Sequence, residues 1–250
     1  PESPATMPKF VGAADWIGVR PKDPRPIFYL SGTISGKGWT EEMFYKATGY
    51  KYRCISFAYC AVTAPYFDRR HYHSLNFCLA SGARIFLDSG AHSFHTLIYH
   101  KGTVRGKSMV DRQASVGELA EQFMSLYADY VKVTRGLFDY YVTFDWQRHC
   151  PTIWAATKKL QEIGIRPMPV FHGDHSLDWF KRYADAGHKI IGLGLNQTGK
   201  HSRKDVRYYY DQVFTCAQAY GISLHGFAVT GDLAFQFPFY AVDSTTWIKA

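Results

Sequence analysis

Eight short apolar runs recur along the chain, and the stretches between most of them carry helical periodicity. No other feature of the sequence limits its possible folds so tightly. The runs are Pro26–Ser31, Cys54–Tyr59, Arg84–Asp88, Tyr140–Asp145, Met168–His172, Lys189–Leu195, Leu224–Val229 and Phe239–Asp243. Each has the length of a β-strand and falls well short of a buried helix. Strands that alternate with helices pair in parallel, because each crossover carries the chain back to the same end of the sheet. Eight such units fit a (β/α)8 TIM-like barrel in the α/β class, and an open doubly wound sheet is the alternative that periodicity does not separate. The 250-residue length suits a barrel as one catalytic domain over residues 26–250, after a Pro-, Gly- and charge-rich arm at 1–25. Little chain follows the eighth run, so the barrel is expected to lack its last helix, with the arm covering the gap, unless the natural chain continues past Ala250.

The helical segments carry their own punctuation. Ser115 and Glu118 form an S-x-x-E pattern that predicts the start of a helix over Ser115–Thr134, with Leu119, Phe123, Leu126, Tyr127 and Tyr130 along one face. Helices are also expected at Thr152–Ile163 after Pro151, at Ser176–Ala186 with Ser176 as cap, and at Asp205–Tyr220. Each of these three stops at a glycine (Gly164, Gly187 and Gly221). The Tyr208–Tyr210 run reads as packing rather than as a platform for bases.

Polar residues collect at the C-terminal tips of the runs. Asp88 is followed by Ser89 and Gly90, Asp145 by Trp146, and His172 by Gly173; Gly192 and Gly194 punctuate the sixth run, His225 and Gly226 the seventh, and Asp243 ends the eighth. In a barrel these tips converge on one face, the face that holds active sites. Aspartate after a strand is common as a turn or cap residue. Three such carboxylates in one register, with histidines and glycines beside them, exceed what turns require.

Charge points to the partner. Lys and Arg number 29 against 21 Asp and Glu, a net charge of +8, which favours a polyanion such as nucleic acid. Lys101, Arg105 and Lys107 follow the Asp88 strand, and Lys200, Arg203, Lys204 and Arg207 follow the Gly192 strand, all placed to hold phosphates. The segment from Asp68 to His73 is a further phosphate contact or an exposed helix start. The five cysteines form no C-x-x-C pair, which speaks for a reducing, cytoplasmic setting and buried thiols. No apolar run is long enough to span a membrane as a helix.

The segment Phe86-Leu-Asp88-Ser89-Gly90-Ala91-His92-Ser93-Phe94 resembles the Asp-Ser-Gly-Gly-(Phe/Tyr)-Gln motif of tRNA-guanine transglycosylases. His225-Gly226-Phe227 followed by Val242-Asp243-Ser244-Thr245-Thr246-Trp247 is similar to the closing part of that superfamily, in the form of its DNA-modifying 7-deazaguanine branch in bacteria and phages. Between them, Phe144-Asp145, the Val-Phe-His172-Gly173 strand and Ile-Gly192-Leu-Gly194 match in order, so the likeness covers about Phe86 to Trp247. The resemblance implies a TIM barrel that exchanges guanine in a polynucleotide for a free 7-deazaguanine base, without a cofactor. It implies Asp243 as nucleophile and Asp88 as general acid and base. Asp145, His172, Gly173, Gly192 and Gly194, together with Ser89, Gly90, His225 and Gly226, would line the base site, and His92 falls where the family stacks an aromatic ring on the base. The chain carries histidine at 172 where the family has glutamine, and no Cys-x-Cys-x-x-Cys zinc motif follows Asp243. The missing zinc motif favours DNA over tRNA.

The chemistry needs this set. A carboxylate attacking the sugar C1′ holds it as an ester, and negative charge stabilises the oxocarbenium-like transition state. A second carboxyl group protonates the leaving base and deprotonates the incoming one, provided it titrates near the working pH. The glycines would let the backbone approach a base that has left its stack. The competing readings are tRNA-guanine exchange, an N-glycosidase with water as acceptor, a non-catalytic DNA-binding barrel, and a metal-dependent hydrolase using His172 with His175, His71 with His73, or His92 with His95.

Overall fold

A computed structural model of the protein describes residues 25–32, 35–36, 39–65, 67–100, 109–146, 149–194, 203–229 and 231–244, with backbone alone at 35–36, 39–40, 97–100, 109–115 and 203–205. The 1–24 part of the expected N-terminal arm lies outside them, as do residues 245–250.

Eight parallel strands form one sheet: β1 (Ile27–Ser31), β2 (Tyr52–Ser56), β3 (Arg84–Asp88), β4 (Tyr140–Tyr141), β5 (Val170–His172), β6 (Ile190–Gly194), β7 (Ser223–Phe227) and β8 (Ala241–Ser244). Each pairs with its neighbours in sequence, and β8 returns to β1 with Tyr29 opposite Asp243. The remaining gap closes through a parallel bridge between Val142 and Met168, where the Met168 N–H donates to Tyr141 O at 2.9 Å and the Thr143 N–H to Met168 O at 3.0 Å. The sheet is therefore a closed TIM-like barrel, and the open alternative falls. Closure removes the two unpaired edges that an open sheet must protect.

Among the described residues the helices are α1 (Glu41–Thr48), α2 (Phe57–Cys60), α3 (Arg69–Ala80), α4 (Ala91–His100), α5 (Met109–Val133), α6 (Cys150–Glu162), α7 (Leu177–Asp185), α8 (Arg203–Tyr220) and α9 (Leu233–Gln236). A short antiparallel pair, Ser35–Gly36 with Trp39–Thr40, precedes α1. None of these helices is long and apolar enough to cross a membrane.

Three expectations change. The fourth run, expected as strand over Tyr140–Asp145, is strand only at Tyr140–Tyr141, with Val142 in the isolated bridge to Met168. The second run is strand only from Tyr52 to Ser56; Phe57 to Cys60, apolar enough to read as strand, turn into α2 and bury Phe57, Ala58 and Cys60 against the helical layer. The helix expected to start at Ser115 begins at Met109, so the Ser115–Glu118 pattern lies inside it. A cap signal contributes only about 1 kcal/mol, and a helix runs through it when the preceding residues continue the spiral. Ser176, by contrast, caps α7 as expected, its hydroxyl accepting from the Asp178 N–H at 3.3 Å. Asp68 likewise caps α3, accepting from the Arg70 N–H at 2.8 Å, so the Asp68–His73 segment is a helix start.

Strand alternation sends every second side chain into the barrel. Tyr29, Cys54, Phe86, Tyr140, Val142, Met168, Val170, Ile190 and Ala241 fill it. The opposite faces pack against helices in two clusters, one around Phe57, Phe123 and Tyr127, the other around Phe171, Tyr210 and Phe239. Beneath α1 a buried ion pair joins Glu41 to Arg53 on the outer face of β2.

Candidate active site

The inward phase that buries Tyr29, Cys54, Phe86, Val170 and Ala241 continues two residues further to Ser31, Ser56, Asp88, His172 and Asp243. The C-terminal mouth of the barrel thus becomes polar while the layer below stays aromatic. Asp145, on the chain just beyond β4, joins them. The mouth brings together the three expected carboxylates and two of the three expected histidines, His172 and His225.

Asp243 is 8% exposed and held by three donors. The Ser31 hydroxyl donates to its Oδ2 at 2.6 Å; His225 Nε2 lies 3.1 Å from Oδ1, and the Ala228 N–H donates to Oδ1 at 3.4 Å. His225 is 1% exposed, with Phe86 and Phe227 edge-on to its ring at centroid distances of 4.8 and 4.9 Å. Ala228 takes a φ of 54°, a left-handed conformation that costs a non-glycine residue about 1–2 kcal/mol. Such strain persists where the surroundings enforce it, and it concentrates at functional sites.

Asp88 is partly buried, and the Gly90 N–H donates to its Oδ2 at 2.9 Å. Burial pushes this carboxyl up to about 7; the Gly90 N–H opposes the rise, while the charges of Asp145 and Asp243 add to it. That influence sets the three carboxylates within one electrostatic neighbourhood, and burial, the larger cause, keeps Asp88 partly protonated near neutrality. Gly90 is required twice over: its φ is 79°, and a Cβ there would lie 2.7 Å from that of Ala58. Ser56 pairs with Asp88 in the ladder, and its hydroxyl also acts to lower the Asp88 carboxyl, while the hydroxyl of Ser89 is buried without a hydrogen-bond partner among the described residues.

Asp145 and His172 form a second pair, Oδ2 to Nε2 at 2.9 Å. The His172 N–H donates to His175 Nδ1 at 3.1 Å, while His172 Nδ1 is buried with no partner among the described residues. A Cβ on Gly194 would lie 2.4 Å from that same nitrogen, so glycine at 194 makes room for the imidazole. Gly192 makes room for the Phe227 ring at 2.3 Å, and Gly226 for Val229 and Phe239 at 2.6 and 2.8 Å. In these three glycines the space of the missing side chain is filled by protein. Gly173 is exposed, with ordinary contact to the Tyr209 ring at 3.7 Å. His92 is exposed in the first turn of α4, directly after the Asp88-Ser89-Gly90 turn.

Of the expected phosphate contacts, Lys101, Arg105, Lys107 and Lys200 lie outside the described residues. Arg203 and Lys204 fall in the first turn of α8 rather than in a loop. Arg207 is exposed on the same helix, and its guanidinium donates to Gln236 Oε1 of α9 at 2.7 Å.

The cysteines are free thiols, and Cys216 is the only one not fully buried. Burial pushes Cys60 up to about 12. Cys54, under the mouth, is also raised, by burial first and then by the charges of Asp243 and Asp88. A thiol with a raised value is a poor nucleophile. Among the described residues no three His, Cys, Asp or Glu side chains are grouped as a metal site.

Ser31, Ser56 and Ala228 escaped the sequence reading. The signal for Ser31 was present: it is the polar tip of the first apolar run, in the same position as Asp88 and Asp243 in theirs.

No protein-family model and no curated protein matches the sequence. Among solved structures the chain is similar to GH26A from Muricauda sp. MAR_2010_75, at 12% identity with a TM-score of 0.47 over 94% of this chain and 88% of that one.

Proposed function

We propose that the protein exchanges guanine in DNA for a 7-deazaguanine base through a covalent Asp243–sugar intermediate. The observation that carries this reading is the unequal treatment of two carboxyl groups at one mouth. Asp243 is tied down by three donors, which suits a carboxylate that attacks and leaves as an anion. Asp88 is pushed up to about 7, which suits a group that gives and takes a proton at neutral pH. A carboxylate held by donors beside a carboxyl group that titrates near neutrality is the pattern expected of a double-displacement glycosyl transfer.

In the first step the Asp243 carboxylate bonds to C1′ while the bond from C1′ to the base breaks. The electron pair leaves with guanine, and Asp88 supplies its proton. In the second step the incoming base gives a proton to Asp88 and bonds to C1′, and the pair in the ester bond returns to Asp243. Asp145, buttressed by His172, is an acceptor for the N1–H and amino group of a guanine-type base. The hydroxyl of Ser89 and the ring nitrogen Nδ1 of His172, without partners among the described residues, are groups that a bound base would satisfy. The basic residues of the two segments beyond β3 and β6 would hold phosphates, in keeping with a net charge of +8.

A hydrolytic reading uses the same pair, because a carboxyl near 7 also activates water. Mass spectrometry of nucleosides separates them, using guanine-containing DNA incubated with protein, with and without 7-deazaguanine bases. The proposal expects a deazaguanine nucleoside only when the base is added. Guanine released without added base supports the glycosidase, exchange confined to tRNA supports the RNA enzyme, and DNA binding with neither reaction supports the non-catalytic barrel.

A further inference from the structure

The donors around Asp243 distinguish its two oxygens, and the consequence drawn from them rests on the base-exchange reading. We propose that Ser31, His225 and the Ala228 amide are positioning groups that anchor Asp243 through Oδ1 and present Oδ2 as the attacking atom.

A carboxylate offers about four lone-pair positions, two on each oxygen. Oδ1 receives His225 Nε2 at 3.1 Å and the Ala228 N–H at 3.4 Å, so both of its positions are used. Oδ2 receives only the Ser31 hydroxyl among the described residues, at 2.6 Å, which leaves one lone pair open. The anchor is stiff on both sides. The His225 ring is edge-on to Phe86 and Phe227 and 6.1 Å from Tyr29, so it cannot turn without displacing aromatic neighbours. Ala228 reaches Oδ1 only by holding its left-handed φ of 54°.

The imidazole's second nitrogen fixes its protonation. Nδ1 of His225 is buried without a partner among the described residues. A proton there would bury an unmatched N–H, which is costlier than a bare lone pair against aromatic edges. The geometry therefore places a hydrogen on Nε2, which donates to Oδ1.

This division serves both chemical steps. When Oδ2 bonds to C1′ and the base departs, Oδ1 becomes the carbonyl oxygen of the ester and keeps its two donors. When the incoming base displaces the ester, the electron pair of the Oδ2–C1′ bond returns to the carboxylate, and the same donors meet the returning charge. Ser31 shares Oδ2 and keeps the open lone pair aimed into the mouth.

The test combines ¹⁵N NMR of the His225 ring in the whole chain with single-turnover formation of the covalent adduct on a guanine-containing DNA oligonucleotide. The expected result is the neutral Nε2–H signature in wild type. His225→Phe should slow adduct formation about 10²–10³-fold, the usual cost of one donor to a charge-bearing oxygen. DNA affinity should be unchanged, and His225→Gln, which returns an N–H at similar reach, should recover about tenfold. A purely structural histidine would not give that recovery at equal DNA affinity. An Nδ1–H or imidazolium signature at neutral pH overturns the assignment, as does His225→Phe forming adduct at the wild-type rate or the lack of any recovery by His225→Gln. Should wild type itself form no adduct, the base-exchange reading falls, and the ring signature alone decides the hydrogen-bond assignment.

Discussion

The two ends of the barrel interior are built from the same strands, two residues apart, and obey opposite rules. Phe86 lies below Asp88, Val170 below His172, Ala241 below Asp243 and Tyr29 below Ser31. The lower layer is closed by apolar and aromatic contact, as in the 4.9 Å edge-to-face pair of Tyr29 and Phe86, worth about 0.5–1.5 kcal/mol beyond burial. The upper layer holds charges that repel one another and polar atoms without partners among the described residues. Apolar contact fills the one and polar groups line the other, and a single strand step separates them. His225 crosses the boundary: its ring packs in the lower layer and its Nε2 reaches the upper.

The largest expected effect is at the rim. Asp243→Ala should reduce base exchange by on the order of 10⁴-fold or more, measured by nucleoside mass spectrometry. Exchange at the wild-type rate would remove Asp243 from the mechanism.

Asp88→Asn should separate activity from stability. Exchange should fall about 10²–10⁴-fold for loss of the proton shuttle. Stability should move the other way. The folded carboxyl titrates at about 7, above its unfolded value, so the folded state holds the extra proton between that value and about 7, and stability drops as pH rises through this window. Asn carries no such penalty, so at pH 8 the variant should be more stable by about 1–2 kcal/mol after allowance for solvent access to the mouth. At pH 4 the two proteins should match. A variant less stable than wild type at pH 8 would break the contrast between rim and floor.

Phe86→Ala tests the floor. Its side chain is fully buried, and the cavity should cost about 3–5 kcal/mol in denaturant unfolding. The smallest effect is expected at Ala228→Gly. Relief of the positive φ and the greater freedom of an unfolded glycine nearly cancel, leaving stability within about 1 kcal/mol of wild type by thermal unfolding. A loss of several kcal/mol would mean that the Ala228 methyl group, rather than its N–H, is what the site needs.

Much of the fold was legible because its signals are local. The run Arg84–Asp88 is strand over its full expected length, and Ser176 caps the helix that it was expected to cap. The failures are equally local in origin. Phe57 to Cys60 carry the apolar character of a strand, and only packing against Phe123 and Tyr127 decides for helix. Ser115 and Glu118 have cap chemistry but no chain end to cap. At the site, residue types and strand positions marked Asp88, Asp145, His172, His225 and Asp243, while the pairings among them were invisible.

The sequence by itself determined which side chains share the barrel's interior and which stand at its C-terminal end, because strand alternation has a period of two residues and needs no partner to express it. Only the tertiary structure decided that the strands close, that Ser31 meets Asp243 across 212 residues of chain, and that Asp145 faces His172. Those contacts depend on register and curvature summed over the whole sheet. The upward shift of Asp88 follows from them too, since it comes from burial and from charges that neighbour it in space and not in sequence.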